Sequence, residues 1–164
     1  MAMAALLSPE ELENSRVAYE LIRLKLRVPI IHYLTDIHSK PLRLRWRQLH
    51  TESPPNGKLP DSVRSFISDV MSVANLSSFV ALYNRLDDGD GKSVTASMLL
   101  RAWKMHDRVG SGDLDINAAW YAIRDVRAKI VVWQRCPHCQ AGFIYEPNES
   151  HARSCPFCAL SRRR

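Results

Sequence analysis

Val131-Val-Trp-Gln-Arg-Cys-Pro-His-Cys139, answered downstream by Cys155-Pro-Phe-Cys158, divides this chain in two. Before it, apolar residues recur at helical spacing. From Val131 onward the pattern turns extended and runs into two similar Cys-Pro-x-Cys turns. The cysteines read C-x2-C-x15-C-x2-C, inside the spacing of a four-cysteine zinc site. Two residues between ligands let the backbone turn tightly enough to aim both thiolates at one tetrahedral ion. The proline after each first cysteine pre-sets φ for that turn. Gly142 follows the first turn, where backbone crowding favours glycine. The expected ligands are Cys136, Cys139, Cys155 and Cys158, and the expected cofactor is one zinc ion, Zn(2+), per chain. Four thiolates leave no position for water or substrate, so the site is expected to be structural. An iron–sulfur cluster or a redox pair are the alternatives. In a reducing compartment paired Cys-x-x-Cys is metal-binding more often than disulfide-forming.

Upstream, the pattern is helical. Ser8-Pro9-Glu10-Glu11 is a capping box with proline at the first helical position. Val17, Leu21, Leu24 and Val28 form a stripe that Pro29 interrupts. A short helix is expected from Ile30 to about Asp36, then a turn with Ser39 as N-cap, then a helix to about His50. Two helices joined so tightly make a helix-turn-helix-like unit, about 29–51. Glu52 to Pro60 reads as a linker or ordered loop, and Asp61 to Leu86 as mostly helical with a break near Asn75. Turns are expected at Asp87–Gly91 and Gly110–Gly112. Between them Ser93 caps a helix to about His106. Asp113 or Asp115 caps the last helix, which runs to about Ile130 with Ile116, Trp120 and Ile123 on its apolar face. The expected fold class is mainly α: a multi-helix body with a helix-turn-helix-like N-terminal unit and a small C-terminal zinc-ribbon-like module. The division is a helical body over 1–130 and a four-cysteine module with a basic tail over 131–164.

The formal net charge is +6 and unevenly spread. It is negative before Arg16, strongly positive over 16–50, balanced over 51–129 and positive again over 130–164. Clustered positive charge fits an anionic partner, most often nucleic acid, or a merely solvated basic face. The helix Leu42–His50 sharpens the first option. At about 100° per residue, Leu42, Trp46 and Leu49 make an apolar stripe, with Arg43, Arg47 and His50 beside it and Arg45 on its flank. Such a helix could lie in a major groove. Candidate DNA contacts are therefore Arg43, Arg45 and Arg47, with Arg153 and the tail Arg162, Arg163 and Arg164 as phosphate contacts. Solvated arginines and a disordered tail remain the bland alternative.

Other chemistry finds little support. Asp87-Asp-Gly-Asp-Gly91 fails as a calcium loop because Lys92 falls where a ligand or the required glycine should be. There is no glycine-rich phosphate loop, nucleophile elbow or apolar carboxylate pair, so no enzyme and no small-molecule substrate are expected. No apolar run approaches the roughly 20 residues that span a bilayer. Met1–Leu7 lacks the form of a signal peptide, so the expected location is the cytoplasm and no membrane is expected as partner. A protein-interaction scaffold built on the zinc module is a rival function. An RNA-binding ribbon using Phe143, Tyr145 and Phe157 is another.

Three stretches together resemble a known family. They are Ala18-Tyr-Glu-Leu-Ile-Arg-Leu24 with Leu42-Arg-Leu-Arg-Trp-Arg-Gln-Leu49; the loop Ser53-Pro-Pro-Asn-Gly-Lys-Leu-Pro60; and Ala119-Trp120 leading to Cys136, Cys139, Gly142-Phe143, Cys155 and Cys158. In these the chain resembles FlhC, the zinc-containing subunit of the bacterial flagellar master transcriptional activator. The resemblance implies a largely helical DNA-binding subunit that works with a small helical partner, FlhD, in a heterohexamer. Such complexes bind promoter regions of flagellar operons and activate RNA polymerase there. The four cysteines map onto the family's zinc ligands. About 62–115 matches loosely and the tail after Cys158 is shorter, so a divergent paralogue with other target genes stays open.

Overall fold

The computed structural model describes residues 7–87, 93–109 and 113–162. Seven helices occur among them, in order α1 (Pro9–Arg23), α2 (Val28–Thr35), α3 (Ser39–His50), α4 (Val70–Leu86), α5 (Ala96–Val109), α6 (Ile116–Arg127) and α7 (Pro156–Ser161). A two-stranded antiparallel sheet, β1 (Val132–Arg135) and β2 (Gly142–Tyr145), precedes α7. The fold class is as expected: mainly helical, with a small sheet and a C-terminal cysteine cluster.

The capping box at the start of α1 forms as the sequence implies. Ser8 Oγ accepts from the Glu11 N–H at 3.2 Å, and Glu11 Oε2 accepts from the Ser8 N–H at 2.7 Å. The end of α1 is less legible. Lys25 takes a left-handed φ of 63°, the Leu26 N–H reaches Leu21 O, and the Lys25 N–H reaches Ile22 O. That is a Schellman motif with lysine where glycine is usual. A non-glycine residue there costs roughly 1–2 kcal/mol. Burial of Leu26 against the core offsets it. The same motif ends α6, with Lys129 at φ 57° and the Ile130 N–H on Asp125 O. This is why α6 stops at Arg127 and not near Ile130, which is exposed.

Other boundaries also shift. Pro29 does not interrupt a helix; it sits in the first turn of α2, which begins at Val28. The N-cap of α3 is His38, and Ser39 is already helical. α4 continues unbroken through Asn75. The break lies earlier, at 67–69, after a 3-10 turn over Val63–Phe66 and before the Asp69–Ser72 capping box. Thr95, not Ser93, caps α5: its Oγ1 accepts from the Met98 N–H at 3.3 Å. Asp115, the second of two candidates, caps α6. The expected turns at 88–91 and 110–112 lie outside the described residues.

The core runs from α1 and α2 through α4, α5 and α6 to β2, with Leu21, Ile31, Phe79, Leu99, Ile123 and Ile144 fully enclosed. α3 packs on α1 and α2 through Leu42 and Trp46. α4 touches α5, α6, α7 and β2, which explains its weak polar–apolar asymmetry. The Glu52–Pro60 stretch is an ordered loop strapped to the body. Arg27 Nη2 donates to Gly57 O at 2.9 Å, and Arg43 Nη1 to Asn56 Oδ1 at 3.1 Å.

Two buried carboxylates tie the loops down. Asp125, fully enclosed on α6, accepts from the Val63 N–H at 2.6 Å and from Arg124 Nε at 2.7 Å. Glu146, also buried, accepts from Arg64 Nη2 at 2.6 Å and from the Asn148 N–H at 3.1 Å. Removing one partner of a buried, hydrogen-bonded charge pair leaves the other uncompensated. Asp125→Ala is therefore expected to cost about 3–5 kcal/mol in a urea unfolding titration. Burial opposes the charge on Glu146, but hydrogen bonds from Arg64 and Asn148 outweigh it and hold its carboxyl below the ordinary 4.5. A depressed folded-state value means a stabilising contribution that is complete above the ordinary glutamate range and lost as pH falls through the folded value. In melting temperatures measured down a pH series, the wild-type chain should lose an acid-side increment of stability that Glu146→Gln lacks.

Candidate metal centre and basic surfaces

The β1–β2 hairpin and α7 each deliver one cysteine pair. Cys136 closes β1: its N–H bonds Ala141 O at 2.9 Å, and its carbonyl accepts from the Gln140 N–H at 3.0 Å. The left-handed residue of that turn is Gln140, at φ 61°. Gly142 is needed for a different reason from the one expected. The Trp133 indole lies where its Cβ would be, so the constraint is a neighbouring ring and not the backbone of the turn. The second pair sits at the start of α7, with Cys155 as N-cap, Pro156 in the first turn and Cys158 after it.

The sheet separates two environments by simple alternation. Ile144 joins the main core against α4, while its neighbours Phe143 and Tyr145 pack with Cys136, Cys155 and Cys158. Phe143 is thus buried beside the thiols and offers no exposed platform for a base.

Cys136 Sγ and Cys158 Sγ lie 3.7 Å apart, Cys139 Sγ and Cys155 Sγ 3.6 Å apart, and all four within 4.8 Å of one another. An ion held tetrahedrally at about 2.3 Å from each sulfur demands S···S distances of about 3.8 Å. Two of the spacings match edges of such a tetrahedron, the other sulfurs lie within about 1 Å of that distance, and the four cysteines could hold a metal ion. The thiols do not share charge evenly. The Cys139 backbone N–H, against some burial, holds Cys136 down to about 6. Hydrogen bonding to Cys139 and then Cys136 pushes Cys158 up to about 12, and burial pushes Cys155 up. A cation at the centre stabilises all four as thiolates and removes that competition.

The candidate arginines divide between two parts of the fold. α3 turns Leu42 and Trp46 inward, and burying Leu42 contributes about 1.5–3 kcal/mol. Arg45 and Arg47 are left exposed and Arg43 half-exposed. Arg45 lies over the Tyr19 ring at 5.8 Å. No acid pairs with Arg43, Arg45 or Arg47 among the described residues. His50 leaves the basic stripe, because its Nε2 lies 2.8 Å from Ile22 O on α1. At the cysteine module, Arg153 is exposed and its Nε donates to Pro147 O at 2.8 Å. Arg162 follows α7 and is exposed; Arg163 and Arg164 lie outside the described residues. Two exposed arginines that spacing did not single out, Arg85 on α4 and Arg135 on β1, meet across one groove. Only the seating of β1 near α4 brings them together; the nearest sequence signal was Arg135 standing directly before Cys136.

The chain is thus mostly helical, with arginines on a surface helix that pair with no acid among the described residues and a thiol cluster that could hold a metal ion. Comparison with known proteins bears on the particular kind. Residues 3–164 match the family described as the flagellar transcriptional activator FlhC, and the chain belongs to that family. Its relatives include proteins named flagellar transcriptional regulator FlhC. That of Gallionella capsiferriformans (strain ES-2) is 27% identical over 147 residues, covering 86% of this chain and 80% of the relative. That of Sodalis glossinidius (strain morsitans) is 24% identical over 159 residues, covering 91% and 79%. That of Thauera aminoaromatica is 24% identical over 160 residues, covering 94% and 81%. The match runs through the loosely similar middle region. Among the described residues no helix is long and apolar enough to cross a membrane.

If the four sulfurs share one ion, elemental analysis of the purified chain should give one metal per chain. Cys136→Ala should abolish that stoichiometry and lower the melting temperature, and chelation should do the same to the parent chain.

Proposed function

We propose that this chain is a DNA-binding subunit of a transcriptional activator complex that switches on flagellar operons, with a structural zinc ion on Cys136, Cys139, Cys155 and Cys158. The observation that carries it is α3: buried Leu42 and Trp46 fix the helix, and Arg43, Arg45 and Arg47 stand beside them without an acid partner among the described residues. Membership of the FlhC family supplies the kind of process. In this reading α3 meets phosphates and base edges, while Arg153, Arg162, Arg163 and Arg164 add phosphate contacts from the module. Zinc fits the all-thiolate tetrahedral donor set, and the ion would serve by ordering the 131–164 module against the 1–130 helical body. The remaining parts of the proposal follow the family: a small helical FlhD-type subunit in a heterohexamer, promoter DNA, RNA polymerase and a cytoplasmic location. A transcriptional activator is not a class of enzyme, and no catalytic role is assigned.

A second use of the same face is favoured by one feature. Tyr19 and Leu44 are exposed beside the arginines, in a shallow groove between α1 and α3. A protein-interaction scaffold would use that groove and would tolerate loss of the arginines.

The two are separated by a salt titration of binding to flagellar-promoter duplex, with the partner subunit present. Arg43→Ala plus Arg47→Ala should weaken binding and reduce the slope of log affinity against log salt by about 1 for each phosphate left without its arginine. An unchanged affinity and slope would leave only the scaffold. Cys136→Ala should lose DNA binding although Cys136 touches no DNA; a folded, zinc-free, DNA-competent variant would refute the supporting role of the metal.

A further inference from the structure

Between α4 and β1 lies a groove of about 500 Å³. Ala81, Leu82, Trp133 and Phe157 give it apolar walls, Ser78, Asn84 and Gln140 add polar groups, and Arg85 and Arg135 stand on it exposed. No acidic residue lines it, and no ion pair engages either arginine among the described residues. Hydrophobic walls with unneutralised guanidinium groups call for an occupant with both an apolar side chain and carboxylates.

The backbone of β1 adds a second, independent element. The Cys136 N–H bonds Ala141 O, and the pairing continues in register from Arg135↔Gly142 to Val132↔Tyr145. In an antiparallel pair, alternate residues aim their backbone groups at the partner strand. Val132, Gln134 and Cys136 therefore face β2, and Trp133 and Arg135 turn their N–H and C=O groups outward. On β2 the residues in the matching phase are Gly142 and Ile144, and the outward N–H of Ile144 is taken by Ser77 Oγ of α4 at 3.0 Å. α4 thus closes the outer edge of β2 at Ile144, and among the described residues no hydrogen bond engages the outward backbone groups of Trp133 and Arg135 on the outer edge of β1. The two residues with outward backbone groups are also the two β1 residues whose side chains line the groove.

We propose that this edge and groove together dock an extended acidic segment of a partner protein. The segment adds a strand along β1, seats an apolar side chain between Leu82 and Trp133, and places carboxylates on Arg85 and Arg135. A duplex is the less fitting occupant. Phosphates gain nothing from Ala81, Leu82 and Phe157, and a duplex offers no backbone to pair with a strand edge. The Trp133 indole lies in the space that a Cβ on Gly142 would fill, so a larger residue at 142 would displace this wall of the groove. This site is separate from the α3 arginines and does not rest on the DNA-binding reading.

The test uses the metal-loaded full chain and a displayed library of random short peptides. Selected peptides should be net acidic with an aromatic or aliphatic anchor. Their affinity, read by fluorescence anisotropy, should fall at least about tenfold in Arg85→Glu plus Arg135→Glu and by less in the gentler Arg85→Gln plus Arg135→Gln. Arg43→Ala plus Arg47→Ala should leave it unchanged. Hydrogen exchange of the Trp133 and Arg135 amides should slow when peptide binds. The proposal is overturned if no peptide is selected, if the selected peptides lack acids, or if they bind the charge-reversed chain equally well. It is also overturned if duplex DNA, and not peptide, protects those two amides; the groove then belongs to DNA.

Discussion

The enclosure of α4 is the constraint on which the rest of the structure depends. Its seventeen residues carry apolar or small side chains over most of their surface, and α5, α6, α7, β2 and the 3-10 turn Ser150–Ala152 pack against them. Such a helix cannot rest on a surface; it has to be wrapped. α5 and α6 take one side with Phe79, Val80 and Tyr83 between them, and β2 and α7 take the other. A buried hydroxyl in the middle of a helix needs a partner, and Ser77 finds it in the N–H of Ile144. One hydrogen bond therefore satisfies two groups, fixes the strand's position along the helix and closes one edge of the sheet.

The cysteine module depends on that wall but has its own internal condition. Its own apolar cluster holds only Phe143, Cys136 and Cys155 as buried members, far too few for an independent core. Four sulfurs within 4.8 Å supply the rest, provided that a cation compensates their mutual repulsion. Tethers reach the module from outside as well. Arg64, in the turn that Asp125 pins to α6, grips the buried Glu146. Disturbance at the sulfurs thus has a route into the helical body through Ile144 and through Glu146. This gives a physical reason why the cysteine cluster can matter to a surface elsewhere on the chain.

Positive charge is distributed in a way that suits division of labour. On α3 the arginines project from a helix whose other face is fixed by Leu42 and Trp46, so their positions are set by packing. Around the module they stand on a strand, on the flank of α4 and after α7. The first set stands along one helix, Arg45 and Arg47 exposed and Arg43 half-exposed. The second includes a groove with apolar walls and an unpaired strand edge. Surfaces of such different shape fit different partners even when their charge has the same sign.

Much of the organisation was legible because it is local. The capping box at Ser8, the stripe of Leu42 and Trp46, the strand leading into Cys136 and the two Cys-Pro-x-Cys turns are all decided within a few residues, where spacing and φ preference act directly. Helix ends at Lys25 and Lys129 were not legible, since a left-handed lysine is tolerated only when tertiary burial of Leu26 and Val131 offsets its strain. Nor could spacing show that Asn75 lies inside one continuous helix, because the enclosure of α4 removes the amphipathic signal. The sequence by itself determined the mainly helical class, the four cysteines that cluster and the basic helix. Only the tertiary structure decided which carboxylates are buried, why Gly142 must be glycine and that Arg85 and Arg135 share a groove. Those depend on residues distant in sequence meeting across α4, and no local rule encodes such a meeting.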